Sequence, residues 1–138
     1  KDSFSAPVPL GMPQARLLTL ADPFQSGSTI DGCLSVPLRD GSAALVDVAK
    51  SEVVGYELTF GSAMTPRGVT PYLPDNDLQA AYPESRLAVE ELGDETTKGL
   101  HARLDDGTEV LFNEVNDRSG TSRLIRVWLH GSVCAGQP

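Results

Sequence analysis

Basic residues are scarce in this chain: 11 lysines and arginines stand against 19 aspartates and glutamates, for a formal charge of −8. Phosphate backbones are bound by clustered cations that release counterions. The nearest approach to a cluster is Arg118, Arg123 and Arg126, and this argues against nucleic acid or an anionic membrane as partner. Long apolar runs are also missing. No stretch approaches the roughly 20 apolar residues of a membrane-crossing helix, so no transmembrane segment is expected. Cysteine is limited to Cys33 and Cys134, 101 positions apart. Zinc-ligand pairs sit only a few residues apart, so this spacing is no metal motif. No glycine loop is built to cradle phosphate, and no cofactor is expected. Gly61-Ser62-Ala63 is not the Gly-x-Ser-x-Gly elbow of a serine hydrolase. Asp75-Asn76-Asp77 opens like a calcium loop but lacks the later glycine and glutamate, and reads as a helix cap.

What is present is the composition of one globular domain. A hydrophobic fraction of 40% and a charged fraction of 22% over 138 residues are ordinary folded values, and the length suits a single core. Residues 1–9 are polar and proline-rich and read as a flexible arm, with one compact domain over 10–138. The opening Lys1-Asp2-Ser3-Phe4-Ser5-Ala6-Pro7 has the character of a tether after a signal peptide or a lipid-anchor cysteine. The expected location is therefore secreted or anchored at the cell envelope. In that oxidising setting Cys33 and Cys134 are expected to form a disulfide joining the beginning of the fold to its end.

The periodicities predict an α+β protein with an antiparallel, meander-type sheet and two short helices. Pro13, Leu17, Leu18 and Ala21 outline the first helix; Gln25 to Gly32 reads as a loop. Strands follow at Cys33–Leu38, Ala43–Val48 and Val53–Phe60, where Val54, Tyr56, Leu58 and Phe60 form one apolar face. Gly61 to Pro74 is a connector. Leu78, Ala81 and Tyr82 mark the second helix, stopped by Pro83. Further strands are expected at Arg86–Leu92, Leu100–Leu104, Thr108–Val115 and Arg123–His130, separated by polar turns at Gly93–Lys98 and Asn116–Ser122. Asp40-Gly41 and Asp106-Gly107 are strong hairpin signals.

Those two hairpins lie 66 positions apart (40 to 106), and the same offset sets Leu38 on Leu104 and Val46 on Phe112. Gly11-Met12-Pro13 also echoes Gly68-Val69-Thr70-Pro71. A tandem duplication is the simplest reading, with copies over about 10–61 and 62–134. Residues Thr65-Pro66-Arg67-Gly68-Val69 through Leu78-Gln79-Ala80-Ala81-Tyr82-Pro83 resemble small exported or lipoprotein-type proteins of high-GC Gram-positive bacteria. In these a Gly-Met-Thr-type opening and a short helix precede an antiparallel meander, often in tandem. The architecture is distantly similar to that of the β-lactamase-inhibitor proteins, although this chain has one cysteine per half instead of a pair. The resemblance implies a fold and an exported setting; it assigns no catalytic residue.

Chemistry-bearing residues are few. His101 and His130 fall on strands that the second meander can bring together, with Asp105 or Glu109 as the third group a metal would need. Exposed strand histidines are the plainer expectation. Tyr72, Leu73 and Trp128, with Arg126 and His130 sharing the Trp128 strand face, are the candidate partner surface. The expected function is that of an exported, non-enzymatic binding or envelope-associated protein meeting a protein or glycan surface. A secreted hydrolase inhibitor and an enzyme with an unrecognised site are the alternatives.

Overall fold

A computed structural model describes residues 8–59, 64–71 and 75–134. Its strands form one antiparallel sheet in the order β1-β2-β3-β4-β8-β7-β6-β5. The first meander holds β1 (Ser28–Ile30), β2 (Cys33–Pro37), β3 (Ala43–Asp47) and β4 (Glu52–Leu58). The second holds β5 (Arg86–Leu92), β6 (Glu95–Arg103), β7 (Thr108–Asp117) and β8 (Gly120–Leu129). Helix is sparse: a 3-10 segment at Gln14–Thr19 and α1 (Asp75–Ala81). The mostly antiparallel architecture with short helices is the one the periodicities predict. Among the described residues no helix is long and apolar enough to cross a membrane.

Both Asp-Gly signals fold as hairpins, and they make the same hydrogen bonds. Asp40 Oδ1 accepts from the Ser42 amide (2.9 Å) and hydroxyl (2.5 Å). Asp106 Oδ1 accepts from the Thr108 amide (2.9 Å) and hydroxyl (2.6 Å). The Leu38 amide donates to Ser42 O (2.8 Å) as the Leu104 amide donates to Thr108 O (2.9 Å). Gly41 and Gly107 take φ values of +92° and +90°, a region that glycine enters without the Cβ penalty. Each aspartate therefore satisfies the donors of its own turn, which is why short polar residues are favoured there.

One sheet face carries most of the apolar packing. Under α1, Tyr56, Leu58, Leu100, Phe112, Ile125 and Val127 pack with Leu78 and Tyr82. Beside them Leu17, Leu38, Ala44, Val46 and Val53 form a second cluster. Val8 joins that cluster at 1% exposure, so the predicted arm stops short of it: an apolar side chain with a cluster within reach is buried instead of left in water. Val54 departs from the expected face. The β3–β4 register shifts at Leu45/Val46, pairing Leu45 with Gly55 but Val46 with Val53. This bulge sends Val54 to the opposite face, where it packs with Leu45, Cys33 and Cys134.

The turn before α1 is built from Thr65-Pro66-Arg67-Gly68-Val69. The Gly68 amide donates to Thr65 O (2.8 Å) and the Thr65 amide to Val69 O (3.0 Å). The fully buried Thr65 hydroxyl accepts from the Tyr82 hydroxyl at 2.7 Å. Arg67 lies over the Tyr82 ring, 4.7 Å from its centroid, and forks onto Glu84 with two 2.9 Å bonds. The motif thus ties the turn to the C-terminal end of α1.

Three segments expected as loops are strands. Ser28–Ile30 pairs with β2, β6 begins at Glu95, and β7 and β8 run to Asp117 and from Gly120. β1 and the turn-side ends of β7 and β8 are exposed, and the start of β6 is half-buried without an inside–outside alternation, so no apolar pattern marks them. Leu87 and Val89 of the edge strand β5 are each 53% exposed. Hydrogen-bond pairing to a neighbour, which leaves no trace in composition, holds these ends as strand.

Cys33 and Cys134 are joined, as expected, with Cα atoms 5.1 Å apart. Closing a loop of about 100 residues stabilises by up to ~4.7 kcal/mol in the chain-entropy account, and measured losses are typically ~2–5 kcal/mol. The Cys33→Ser/Cys134→Ser variant is expected to lose stability in that range by urea unfolding. Denatured wild-type protein without reductant should show no titratable thiol, and two free thiols would refute the link.

Candidate functional site

The sheet face opposite α1 carries the polar chemistry. Adjacent strands set its rows: Glu109 of β7 pairs with Trp128 of β8, which pairs with Gly55 of β4. One row away Leu111 pairs with Arg126, and Arg126 with Glu57. His101 pairs with Leu111 across β6–β7, on the same face as Glu109 because residues two apart on a strand share a side. His130 lies just past β8, where its amide donates to Gly107 O of the second hairpin (2.9 Å).

These placements converge on Glu109, whose side chain is only 8% exposed. His101 Nε2 is 2.7 Å from its Oε1, and His130 Nδ1 is 2.5 Å from its Oε2. Both imidazoles are about half exposed. Burial alone would raise the Glu109 pKa, but the hydrogen bonds from His130 and His101 outweigh it and hold the carboxyl below its ordinary value. An ionised carboxylate only accepts. His101 must therefore donate from Nε2 and His130 from Nδ1. In their neutral forms this fixes the tautomers and leaves lone pairs on His101 Nδ1 and His130 Nε2.

The ring of His101 stacks on Trp128 with centroids 6.0 Å apart and planes 8° from parallel. Trp128 is 4% exposed, so the expected exposed aromatic is instead a buried support. It is screened by the His101 ring, and Gly55 opposite gives it close backbone contact. A Cβ on Gly55 would stand 3.1 Å from Trp128 Cα and 2.4 Å from Val127 O. The Trp128 indole Nε1 is buried without a hydrogen-bond partner. Arg126 shares this face, as expected, and its guanidinium lies 3.3 Å from Glu57. Tyr72 and Leu73 lie outside the described residues.

The two histidines thus meet one of the two carboxylates that sequence reasoning offered them, Glu109 and not Asp105. Among the described residues, no group of three or more His, Cys, Asp or Glu side chains is arranged to hold a metal ion. Glu109 spends its two oxygens on imidazoles, and both cysteines are oxidised, so neither supplies a free base or thiolate. Sequence reasoning did not foresee the structural role of Gly55; its only signal was a glycine inside an apolar strand, which often marks close backbone approach. No family model, curated protein or solved structure matches this chain.

The Glu109 charge has a defined pH signature. With its folded pKa depressed, its stabilising contribution is present above the unfolded value of about 4.3. That contribution is lost as pH falls through the folded pKa. Glu109→Gln is expected to remove this part of the acid slope in urea midpoints measured between about pH 3 and 6. It should also cost about 1–3 kcal/mol at neutral pH, because an amide NH₂ then faces an imidazole N–H. An unchanged slope would show that the carboxylate is not the group held by the histidines.

Proposed function

We propose that this is a secreted or envelope-anchored binding protein that acts without catalysis, through the sheet face carrying His101, Glu109, His130 and Arg126, on a protein or glycan surface. One observation carries the reading: a buried carboxylate holds two half-exposed imidazoles and fixes the nitrogens they offer outward. Such a pair suits donors from a partner, whether side-chain ammonium and guanidinium groups or sugar hydroxyls. The overall charge of −8 favours the approach of a basic partner.

The experiment is retention on immobilised protein, presented with culture fluid and solubilised envelope at neutral pH. A component held by the wild type and released by His101→Ala/His130→Ala is expected, and purified it should bind the wild type directly. The retained component is then assayed for hydrolase activity, which would specify an inhibitor. Turnover of a cell-wall or peptide substrate that disappears in the same double variant would overturn the non-catalytic reading.

We also infer that the two meanders descend from one unit by duplication. Support comes from the matching hydrogen bonds of the two Asp-Gly hairpins and from their equivalent places, each between the second and third strands of its meander. Ser42→Thr writes the second hairpin's residue into the first. Ser42 is 4% exposed, so the added methyl is expected to cost no more than about 1 kcal/mol if its surroundings match those of Thr108, and a loss above about 3 kcal/mol, the upper end for overpacking, by thermal or urea unfolding would deny the equivalence.

A further inference from the structure

On the α1 side of the sheet the packing is uneven. Directly beneath α1, between Leu78, Leu100 and Phe112, the residual space is about 10 Å³, no more than one water needs. Next to it, where the two apolar clusters meet, lies a cavity of about 350 Å³. That volume falls within the range of small-ligand pockets. Its walls are largely apolar, with Leu10, Pro66, Leu104, Val110 and Val127 interrupted by Arg67, Tyr82, Asp106 and Thr108. Strands β4, β7 and β8 supply the floor, while the segment at Val8–Leu10 and the Thr65–Val69 turn supply the sides.

Inside this apolar lining sits one polar group with nothing to bond. Tyr56 lines the cavity and is 1% exposed, and its hydroxyl is buried without a hydrogen-bond partner. Tyr82 and Asp106 line the cavity with it, and both act electrostatically on the Tyr56 hydroxyl. Burial, first, and these two groups raise its pKa, so it stays a neutral O–H. The other polar groups at the cavity are already engaged. The Tyr82 hydroxyl donates to Thr65 (2.7 Å). Arg67 is held by Glu84 and by Ala81 O (2.8 Å), and Asp106 accepts from Thr108. A buried hydroxyl left unpaired is costly, and such groups in a folded protein call for an explanation.

We propose that this cavity is a binding site for a small, uncharged, largely apolar molecule carrying a carbonyl-type acceptor, which receives the Tyr56 hydroxyl. Apolar walls exclude a net charge, because the two charged side chains present are spent on protein partners. An acceptor is specified because a phenol is a stronger donor than acceptor. The site lies on the sheet face opposite Glu109, so it stands or falls independently of the partner surface proposed there.

The test uses prodan, a neutral fluorophore with one ketone, titrated into the full chain. Saturable binding at one molecule per chain with blue-shifted emission is expected. Tyr56→Phe removes only the hydroxyl and should weaken binding about 3- to 10-fold, the worth of one hydrogen bond. The same variant should melt at or above the wild-type temperature, since it deletes an unpaired buried group. Leu104→Trp, which fills the cavity from a partly buried wall position, should abolish binding while circular dichroism stays unchanged. Absence of saturable binding to wild type would overturn the proposal, as would equal affinity in all three proteins. A clear loss of melting temperature in Tyr56→Phe would overturn it too, because the hydroxyl would then have a structural partner.

Discussion

The pairing of β4 with β8 is the constraint on which the rest of this structure depends. Four aligned residue pairs, from Gly55 with Trp128 to Leu58 with Ile125, are the seam at which two meanders become one sheet. Each meander contributes its last strand to it, so the seam forms only after the sequence between Leu58 and Gly120 has been closed. The approach is tight on one side: any side chain at Gly55 would meet the Val127 carbonyl at 2.4 Å. Backbone cannot yield as a flexible side chain can, so glycine is required there. Both candidate sites hang from this seam. Trp128 faces one way and supports His101; Tyr56 and Val127 face the other and floor the cavity.

The Cys33–Cys134 bond acts on the same seam from outside. It ties β2 to the segment just after β8, on the face where Leu45 and Val54 pack. The bulge that turns Val54 to that face supplies apolar contact for the cystine, which is otherwise stranded on the less covered side. His130 lies between β8 and Cys134, so the cross-link also limits how far the end of the histidine cluster can stray from Glu109.

Much of this was legible in the residues, and the failures have physical causes. The core strands were readable because alternation reports a half-buried face, and the hairpins because Asp-Gly has few other uses between apolar runs. The bulge was not, since it depends on how β3 and β4 align and not on either strand alone. The outer ends of β6, β7 and β8 were invisible because polar, solvent-facing strand has the composition of loop. At the site, the sequence offered His101, His130 and two acidic candidates. Choosing Glu109 over Asp105 required the β6–β7 register, which sets Glu109 opposite Arg103, two places along β6 from His101. Trp128 failed as an exposed residue for the same reason: exposure depends on neighbours across strands.

The cavity follows from a mismatch of dimensions. Eight strands at about 4.8 Å spacing make a sheet roughly 34 Å wide. A helix with its side chains covers about 10 Å of that width, and among the described residues two short ones lie on the face, a 3-10 segment of six residues and α1 of seven. Side by side they roof about 20 Å. The remainder must be closed by extended chain, left bare, or left as space. All three outcomes are seen: the segment at Val8–Leu10 closes part of the middle, Leu87 and Val89 stay bare at the β5 edge, and the space lies at the seam between the two roofs. A sheet made of two meanders, each with its own short helix, has its thinnest cover where the meanders join. That join is also where the unpaired Tyr56 hydroxyl is found.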